Sequence, residues 1–281
     1  MAEVEPKAAI IGWPVDHSRS PLIHRHWLRE LGLKGDYERL PVAPDQINRL
    51  KALLVEGNYV GANVTIPHKE AAFRLADRAD SVARELGAAN TLWFEDGQLL
   101  ATNTDGFGFL ANLDERLPGW DRNGGKAVVL GAGGAARAIV WALLQRGFAP
   151  VLVLNRTLEK AENLARHFGA GVLAAPLSQA GTVLKDAGLV VNTTSVGMHD
   201  EGTFDFTLEQ VRPDAVITDI VYTPLRTRLL REAAERNLRV ADGLGMLLHQ
   251  AAPGFEKWFG RKPLVSAALR QVILDDLGSS A

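Results

Sequence analysis

The feature that most constrains the fold of this chain is a short apolar run followed by a glycine-rich turn and a helical pattern, at 126–147. The run KAVVL at 126–130 is β-branched and unbroken by polar residues after its first position, which is typical of a buried parallel strand. GAGGAAR at 131–137 leaves no room for a long loop, and the apolar residues that follow recur at helical spacing until Gly147. We therefore predict a strand, a tight turn and a helix.

The glycine turn favours a dinucleotide-binding site. Gly131 allows a sharp turn, Gly133 lets the backbone approach a pyrophosphate, and Ala136 stands where such turns have a third glycine or an alanine. The start of the helix adds free N–H groups and the positive end of the helix dipole. The alternative is an ordinary strand-to-helix turn, but the flanking strand and helix favour the dinucleotide site.

Composition indicates a globular protein and excludes several classes of site. The chain has 281 residues, enough for two domains or one large one, and 47% of them are hydrophobic. The formal net charge of −2 gives no indication of a nucleic-acid or acidic membrane partner. The absence of cysteine excludes disulfides, thiolate metal sites and a cysteine nucleophile, and we predict no metal. With no signal-peptide pattern and no membrane-length apolar run, we expect a soluble cytoplasmic protein.

Strand and helix patterns alternate along the chain, which predicts the α/β class. Before the glycine turn we predict strands at 7–13, 36–42, 60–66, 90–94 and 99–102, and helices at 21–31, 44–56, 69–76, 80–86 and 104–117. After the turn and its helix we predict strands at 151–154, 171–174, 189–192 and 216–221, and helices at 158–168, 225–236, 244–259 and 263–277.

These patterns predict two α/β domains. Pro118-Gly119 and Asn123-Gly124-Gly125 are typical of a hinge. We assign 119–240 to a Rossmann-like dinucleotide domain. Because no strand follows the last two helices, they could pack back on the first part, and we assign 1–118 plus 241–281 to a substrate-binding and catalytic domain.

Polar residues follow the first predicted strand, at the edge where open α/β sheets bind ligands. Ser18 and Ser20 can present two hydroxyls and backbone N–H groups to a carboxylate. The alternative is that Ser20 only caps the helix that Pro21 begins, and taken by themselves the two serines favour capping.

A lysine and an aspartate follow two other predicted strands. Period-two spacing puts Asn63 and Thr65 on one face of a strand, and Lys69 comes just past its end. A lysine in a cleft can exchange a proton near neutral pH, whereas a surface lysine is only solvated. Asp105 either provides a favourable carboxylate at a helix start or pairs with Lys69 and orients it.

A cationic side chain stands where NAD-binding domains usually have an acidic one. The strand at 151–154 is followed by Asn155, Arg156 and Thr157. An Asp or Glu near this point would bind the ribose 2′-hydroxyl, whereas the planar, permanently charged guanidinium of Arg156 suits a 2′-phosphate. Lys160 lies one turn further along. We therefore predict NADP rather than NAD.

A series of motifs, in order and over nearly the full length, resembles the shikimate dehydrogenase family. They are GWPVDHSRSPLIH at 12–24, NVTIPHK at 63–69, AANT at 88–91, NTDG at 103–106, GAGGAAR at 131–137, NRT at 155–157, NTTSVGM at 192–198, DIVYTPLRT at 219–227 and DGLGMLLHQA at 242–251. The resemblance implies a two-domain, NADP-dependent oxidoreductase that reduces 3-dehydroshikimate to shikimate in aromatic amino-acid biosynthesis.

The resemblance also implies roles for individual residues. Lys69 and Asp105 would flank the reacting carbonyl. The substrate-binding residues would be Ser18 and Ser20 for the carboxylate, Tyr222 near it, and Thr65, Asn90 and Gln250 for the ring hydroxyls. The cofactor-binding residues would be Gly131, Ala132, Gly133, Gly134, Ala135 and Ala136 for the pyrophosphate, Asn155, Arg156 and Thr157 for the adenosine ribose and its phosphate, and Thr193, Val221, Gly243 and Met246 along the nicotinamide half. Val221 and Met246 could instead be simple core residues.

The implied mechanism is hydride transfer to the carbonyl carbon of the substrate. Lys69 would stabilise the charge that develops on the oxygen and supply the proton, while Asp105 would align the lysine and the substrate. Hydride transfer needs close approach of the two carbons, so we expect the cleft to close on binding.

Three alternatives remain. Some relatives prefer quinate or use NAD; in quinate enzymes the second serine of the Ser-x-Ser pair tends to be threonine, so Ser20 favours shikimate. A nucleotide-binding regulator on the same fold could lack Lys69 or Asp105, and both are present. A tetrahydrofolate-linked dehydrogenase would have a similar architecture, but the Ser-x-Ser and NTDG motifs do not suit a pterin.

The chain could be a monomer or a homodimer.

Overall fold

The computed structural model describes residues 5–122 and 124–279 and forms two compact units. The first unit consists of Met1–Thr104 and Leu248–Ala281, and the second of Asp105–Leu247. The domain boundaries predicted after residues 118 and 240 both lie within the second unit. Asn123, part of the predicted hinge, lies outside the described residues.

The first unit is built on a six-stranded mixed sheet. Its strands are β1 (Lys7–Gly12), β2 (Asp36–Pro41), β3 (Tyr59–Val64), β4 (Arg78–Ala79), β5 (Thr91–Glu95) and β6 (Gln98–Thr102), in the spatial order β2-β1-β3-β5-β6-β4. Strand β1 is parallel to β2 and β3, whereas β5 is antiparallel to both β3 and β6. Strands β3 and β6 therefore run in the same direction and end at the same edge of the sheet.

Helices of the first unit cover this sheet with their apolar faces. They are α1 (Ser20–Glu30), α2 (Leu50–Glu56), α3 (Lys69–Leu75) and α4 (Ser81–Leu86). Helix α2 buries Leu50 and Leu54 in one cluster with Ile11 of β1 and Val64 of β3. Helix α4 begins where the carboxylate of Asp80 accepts a backbone N–H of the first turn at 2.8 Å.

The second unit contains a six-stranded sheet in which every pair of neighbours is parallel. Its strands are β7 (Ala127–Leu130), β8 (Val151–Asn155), β9 (Val172–Pro176), β10 (Leu189–Asn192), β11 (Val216–Asp219) and β12 (Arg239–Ala241), in the spatial order β12-β11-β10-β7-β8-β9. Counted from β7, this is the 3-2-1-4-5-6 order of a Rossmann fold. The order reverses between β7 and β10, and ligands bind such sheets beyond the carboxyl ends of the strands at that point.

The helices of the second unit complete a doubly wound arrangement. They are α5 (Asp105–Arg116), α6 (Gly134–Gln145), α7 (Leu158–Phe168), α8 (Ala180–Val183) and α9 (Arg228–Glu235). Phe109 and Leu113 of α5 belong to the same buried cluster as Ile139 of α6. The side-chain amide of Asn112 donates to the carbonyl of Asp242 at 2.7 Å. These contacts place α5 in the second unit.

The last two helices are α10 (Leu244–Phe259) and α11 (Ala267–Ser279). The indole N–H of Trp258, on α10, donates to the carbonyl of Leu92 on β5 at 2.8 Å. The chain from Leu248 onwards therefore packs on the first unit, which confirms the predicted return of the C-terminal helices. No helix in the described part of the chain is long and apolar enough to cross a membrane.

One helix of the first unit differs from the sequence prediction. The helix predicted at 44–56 begins with a 3₁₀ turn, Ile47–Arg49, that leads into α2. The residues before it form a separate turn, in which the N–H of Gln46 donates to the carbonyl of Ala43 at 2.9 Å. Strands β4 and β12 have two and three residues, too few to carry a periodic signal.

Two later helices also begin after their predicted first residues. The helix predicted at 225–236 begins only after Thr227, whose hydroxyl accepts the N–H of Leu230 at 3.5 Å. The helix predicted at 263–277 is α11, in which the hydroxyl of Ser266 accepts a backbone N–H of the first turn at 3.2 Å. In both cases a hydroxyl cap sets the start.

Candidate functional site

The glycine turn after β7 packs against Thr193, which directly follows the neighbouring strand β10. Gly131 has a φ of +105°, a conformation that side chains with a Cβ rarely adopt. A Cβ at this position would lie 2.7 Å from Oγ1 of Thr193, which donates to the carbonyl of Leu130 at 2.7 Å. The structure thus brings together Gly131 and Thr193, two of the predicted cofactor residues, at the point where the strand order reverses.

The start of α6 combines an open outer side with a buried inner side. A Cβ at Gly133 or Gly134 would meet no atom within 4 Å. Ala136, by contrast, is fully buried in the core beside Ile139. A larger residue than alanine would separate the helix from the sheet. The first-turn N–H groups have no partner within the helix, and a bound anion can accept from them.

Two exposed cationic side chains, Arg156 and Lys160, follow β8. Thr157 between them is also exposed, whereas Asn155, the last residue of β8, is half-buried and donates from its side chain to the carbonyl of Thr157 at 2.8 Å. Among the described residues, Arg156 has no ion-pair partner. Its guanidinium is therefore available to a phosphate.

A buried carboxylate organises the loops after β10 and β11. Asp219 Oδ1 accepts from the side-chain amide of Asn192 and from the N–H of Val221, each at 2.9 Å. Oδ2 accepts from the hydroxyl of Thr227 at 2.7 Å. Burial raises the pKa of Asp219, and these hydrogen bonds oppose that shift. Strand β11 ends at Asp219, two residues before the predicted end at 221, because the carboxylate turns the chain there.

The predicted nicotinamide residues lie on the segments that follow. Gly243 passes so close to β11 that a Cβ would lie 2.3 Å from the carbonyl oxygen of Ile220, so only glycine fits. Met246 is half-buried and packs against the core of the second unit, and Val221 is buried. Val221 and Met246 can therefore pack in the protein and still contact a cofactor. Tyr222 is half-buried in the loop after β11.

The two predicted carboxylate ligands lie side by side. The hydroxyl of Ser18 donates to that of Ser20 at 3.2 Å, and the N–H of Ser20 donates back to Ser18 Oγ at 3.3 Å. Arg39 fixes the loop by donating to the carbonyl of Ser18 at 2.6 Å. Arg19, not Ser20, occupies the N-cap position of α1, and no side chain caps this helix. The capping alternative for Ser20 is therefore wrong.

A second polar group in the first unit brings together residues far apart in sequence. The side-chain amide of Asn90 lies 3.4 Å from Oε1 of Gln250. Asn90 Oδ1 accepts from the N–H of Thr104 at 2.9 Å, and the hydroxyl of Thr104 donates to the carbonyl of Gln250 at 2.8 Å. Two of the three residues predicted to bind ring hydroxyls are thus adjacent.

The remaining predicted residues begin helices or follow strands. Thr65 comes directly after β3 and is half-buried. Lys69 is half-buried at the start of α3, and its carbonyl accepts from the N–H of Ala89 at 2.9 Å, which joins α3 to the segment that carries Asn90. Asp105 is the first residue of α5, and only 6% of it is exposed. Its pairing with Lys69 stays a prediction.

Sequence reasoning assigned no role to Asp219, His24 or Tyr37. Asp219 lies in the motif DIVYTPLRT, and an acidic residue at the end of a buried strand was the available signal. His24 and Tyr37 are fully buried and stack on each other, with ring centroids 3.9 Å apart. Nothing in the pattern of α1 or β2 indicates that contact, because it forms only when the two elements pack.

Three family profiles match consecutive parts of the chain. The profile described as the shikimate dehydrogenase substrate binding domain matches residues 10–92, and the profile for shikimate / quinate 5-dehydrogenase matches 114–200. The profile for the shikimate 5'-dehydrogenase C-terminal domain matches 243–273.

Individual proteins give the same result. The shikimate dehydrogenase (NADP(+)) of Rhizobium etli is 56% identical over 274 residues, which cover 97% of this chain and 96% of that protein. The shikimate 5-dehydrogenase of Thermus thermophilus, solved with NADP(H) and shikimate, matches with a TM-score of 0.84 and 37% identity over 95% of this chain and 99% of that one. A quinate dehydrogenase from Corynebacterium glutamicum, solved with NAD, matches with a TM-score of 0.87 and 28% identity over 96% and 99%. The chain described here therefore belongs to the shikimate dehydrogenase family.

Proposed function

We propose that this protein catalyses the reversible, NADP-dependent reduction of 3-dehydroshikimate to shikimate in aromatic amino-acid biosynthesis. The observation that carries the proposal is the 56% identity, over 97% of the chain, to a shikimate dehydrogenase (NADP(+)). The geometry of each unit supplies the groups that this reaction needs.

The second unit fits NADP. Gly133 and Gly134 leave space beside the uncapped start of α6, so the backbone N–H groups of that turn can bind the pyrophosphate. Arg156 and Lys160 provide positive charge next to the end of β8, where the adenosine ribose of a dinucleotide lies in this fold. A 2′-phosphate can accept two parallel hydrogen bonds from the guanidinium of Arg156. Thr193, Val221, Gly243 and Met246 then serve the nicotinamide half.

The first unit fits a hydroxylated ring that carries a carboxylate. Ser18 and Ser20 place two hydroxyls 3.2 Å apart, which suits the two oxygens of a carboxylate. The side chains of Asn90 and Gln250 can each donate to and accept from a ring hydroxyl. Thr65 is assigned to the same hydroxyls, and Tyr222 to the carboxylate.

Lys69 and Asp105 are the catalytic residues in this proposal. NADPH, when bound, supplies the hydride that reduces the carbonyl carbon. As the C=O bond opens, Lys69 stabilises the negative oxygen and transfers a proton to it, so the product is an alcohol. Asp105 holds the ammonium group and the substrate hydroxyl in line. In the reverse direction the same lysine accepts the proton.

A matrix of four assays tests the proposal. The purified protein is mixed with shikimate or quinate and with NADP or NAD, and the reduced cofactor is followed by its absorbance. We expect the highest kcat/KM for shikimate with NADP. A higher value for quinate or NAD would favour the type of enzyme represented by the quinate dehydrogenase from Corynebacterium glutamicum. No turnover in any combination would favour a nucleotide-binding regulator.

The cytoplasmic location and the choice between monomer and homodimer stay predictions.

A further inference from the structure

Thr104 contacts two of the residues that we assign to the ring hydroxyls, although it comes from a third part of the chain. It follows β6, whereas Asn90 directly precedes β5 and Gln250 lies on α10, 146 positions further along the chain. We propose that Thr104 is a positioning residue, which fixes the direction of the Asn90 amide and the place of Gln250 relative to it. This inference deepens the proposed function and rests on it.

The backbone N–H of Thr104 decides which end of the Asn90 amide points towards it. This N–H donates to Oδ1 of Asn90 at 2.9 Å, and only the oxygen of an amide side chain can accept. The hydroxyl of Thr91 donates to the same oxygen at 2.9 Å. Oδ1 is thus engaged within the protein, while Nδ2 lies 3.4 Å from Oε1 of Gln250. Of the two roles that amide chemistry allows, Asn90 therefore serves a ring hydroxyl as the donor.

The hydroxyl of Thr104 has one proton, and this proton goes to α10. Two acceptors lie within reach, the carbonyl of Gln250 at 2.8 Å and Oδ1 of Asn90 at 3.1 Å. A carbonyl cannot donate, so the shorter contact is a hydrogen bond only if Thr104 gives its proton to Gln250. The hydroxyl therefore anchors the backbone of α10 at the residue whose side chain reaches Asn90. Through its N–H and its hydroxyl, Thr104 holds both residues at once.

These contacts are shielded from water. Asn90, Thr91 and Thr104 are each at most 4% exposed, so a lost hydrogen bond is not readily replaced by one to solvent. Asn63 donates through Nδ2 to Oγ1 of Thr91 at 3.2 Å, which leaves the proton of that hydroxyl for Asn90. A change at Thr104 therefore alters the surroundings of Asn90 and Gln250.

The test is Thr104→Val, which removes the hydroxyl and keeps the N–H and the branched shape. We expect KM for shikimate to rise on the order of 3- to 10-fold, with a smaller change in kcat and no change in KM for NADP. Thr104→Ser keeps the hydroxyl, and we expect it to keep a KM close to that of the wild type. If the valine variant does not fold, Thr104→Ala replaces it.

Thr102→Val is the matched control. Thr102 is the last residue of β6, and its hydroxyl donates to Asp80 at 2.5 Å rather than to a residue assigned to the substrate. The control makes the same chemical change two positions away. We expect it to keep the wild-type KM for shikimate, and the melting temperature of each variant shows whether it folds.

Deoxy analogues of shikimate separate positioning from a general loosening of the first unit. Shikimate has two ring hydroxyls besides the one that is oxidised, and an analogue that lacks either of them removes a possible partner of Asn90 and Gln250. If Thr104 acts through these two residues, Thr104→Val raises KM less for at least one analogue than for shikimate. An equal rise for shikimate and both analogues overturns the inference and leaves the proposed function intact.

Two other results are also decisive. A Thr104→Val protein with a lower melting temperature but an unchanged KM for shikimate overturns the inference, because the hydroxyl would then only stabilise the fold. Calorimetry of shikimate binding to the wild-type protein detects failure of the proposed function itself. A wild type that neither binds nor oxidises shikimate overturns the proposed function, and the inference with it.

Discussion

The hydroxyl of Thr227 donates to Oδ2 of Asp219 across 2.7 Å, and both residues are buried. The same carboxylate accepts from Asn192 and Val221, so one side chain joins the ends of two parallel strands to the start of α9. The loop after the first of these strands carries Thr193, which packs on the glycine turn. Asp219 therefore stabilises the edge of the sheet that we assign to the cofactor.

The first prediction concerns the pH dependence of stability at Asp219. Burial raises its pKa above the ordinary value of 3.8, so the folded protein holds this proton more tightly than the unfolded chain does. The stability that this proton contributes is present below 3.8 and is lost as the pH rises through the folded pKa. Asp219→Asn has no such titration. We expect the urea midpoint of wild type, relative to Asp219→Asn, to fall as the pH rises from about 4 to about 7. A relative midpoint that rises would contradict the raised pKa.

The second prediction concerns His24. Burial lowers its pKa from 6.5 to about 3, so the ring is neutral in the folded protein and protonated in the unfolded chain at mildly acidic pH. Its contribution to stability is therefore complete above 6.5 and is lost as the pH falls towards 3. The slope is up to about 1.4 kcal/mol per pH unit. We expect His24→Phe to flatten the fall in unfolding free energy between pH 6.5 and 4, whereas the exposed control His167→Asn keeps it. An unchanged slope in His24→Phe would show that other groups cause the acid sensitivity.

Sequence patterns predicted correctly the elements whose apolar residues form a recognisable pattern. Helix α7 at Leu158–Phe168, strand β10 at Leu189–Asn192 and helix α10 at Leu244–Phe259 have the predicted bounds. Each carries either a periodic apolar stripe or an unbroken apolar run. The patterns failed where a distant partner decides the boundary. Thr227 ends the loop before α9 because it bonds Asp219, and no local signal reveals that contact.

In the candidate site, too, residues with a local sequence signal could be predicted, whereas residues that depend on distant partners could not. The glycine turn and Arg156 could be interpreted from their own neighbours in sequence, because strand, turn and helix are consecutive there. Asn90 and Gln250 are 160 positions apart and meet only through the return of α10, so only the family resemblance pointed to them together. Tyr37 lies in the polar-looking strand DYERLP, and its partners come from α1 and β3.

The third prediction tests the cofactor preference. Arg156→Asp replaces an attraction for the 2′-phosphate by a repulsion, so we expect KM for NADP to rise on the order of 10- to 100-fold while KM for NAD changes little. Arg166→Asp, on the last turn of α7, the helix that follows Arg156, makes the same charge change away from β8 and serves as the control. Equal effects of Arg156→Asp on both cofactors would reject the role assigned to this residue.

The fourth prediction tests the carboxylate site. Ser18→Ala combined with Ser20→Ala removes two hydroxyl donors, and hydrogen bonds to a charged group are the stronger kind. We expect KM for shikimate to rise at least about 10-fold, while NADP affinity, measured by fluorescence, stays at the wild-type value. If the double variant binds shikimate as the wild type does, the carboxylate lies elsewhere.

The fifth prediction concerns Lys69 and Asp105. Strands β3 and β6 run in the same direction, so the residues that follow them emerge at one edge of the sheet. The oxygen that gains charge during hydride transfer must be protonated, and an alanine methyl cannot do this. Because the interaction is stronger in the transition state than in the ground state, its loss affects kcat more than KM.

We therefore expect Lys69→Ala to lower kcat by ~10²- to 10⁴-fold, the range for general acid–base groups. Asp105→Asn should be similarly damaging, because the lysine loses the carboxylate that aligns it. If the two act as a unit, either change already disables the other, and the double variant should lose far less than the product of the single losses. The measurement is a double-mutant cycle on kcat, with NADP affinity as the control for folding. Multiplicative losses would separate the two residues, and near wild-type kcat in Lys69→Ala would leave Lys69 as a solvated lysine without a catalytic role.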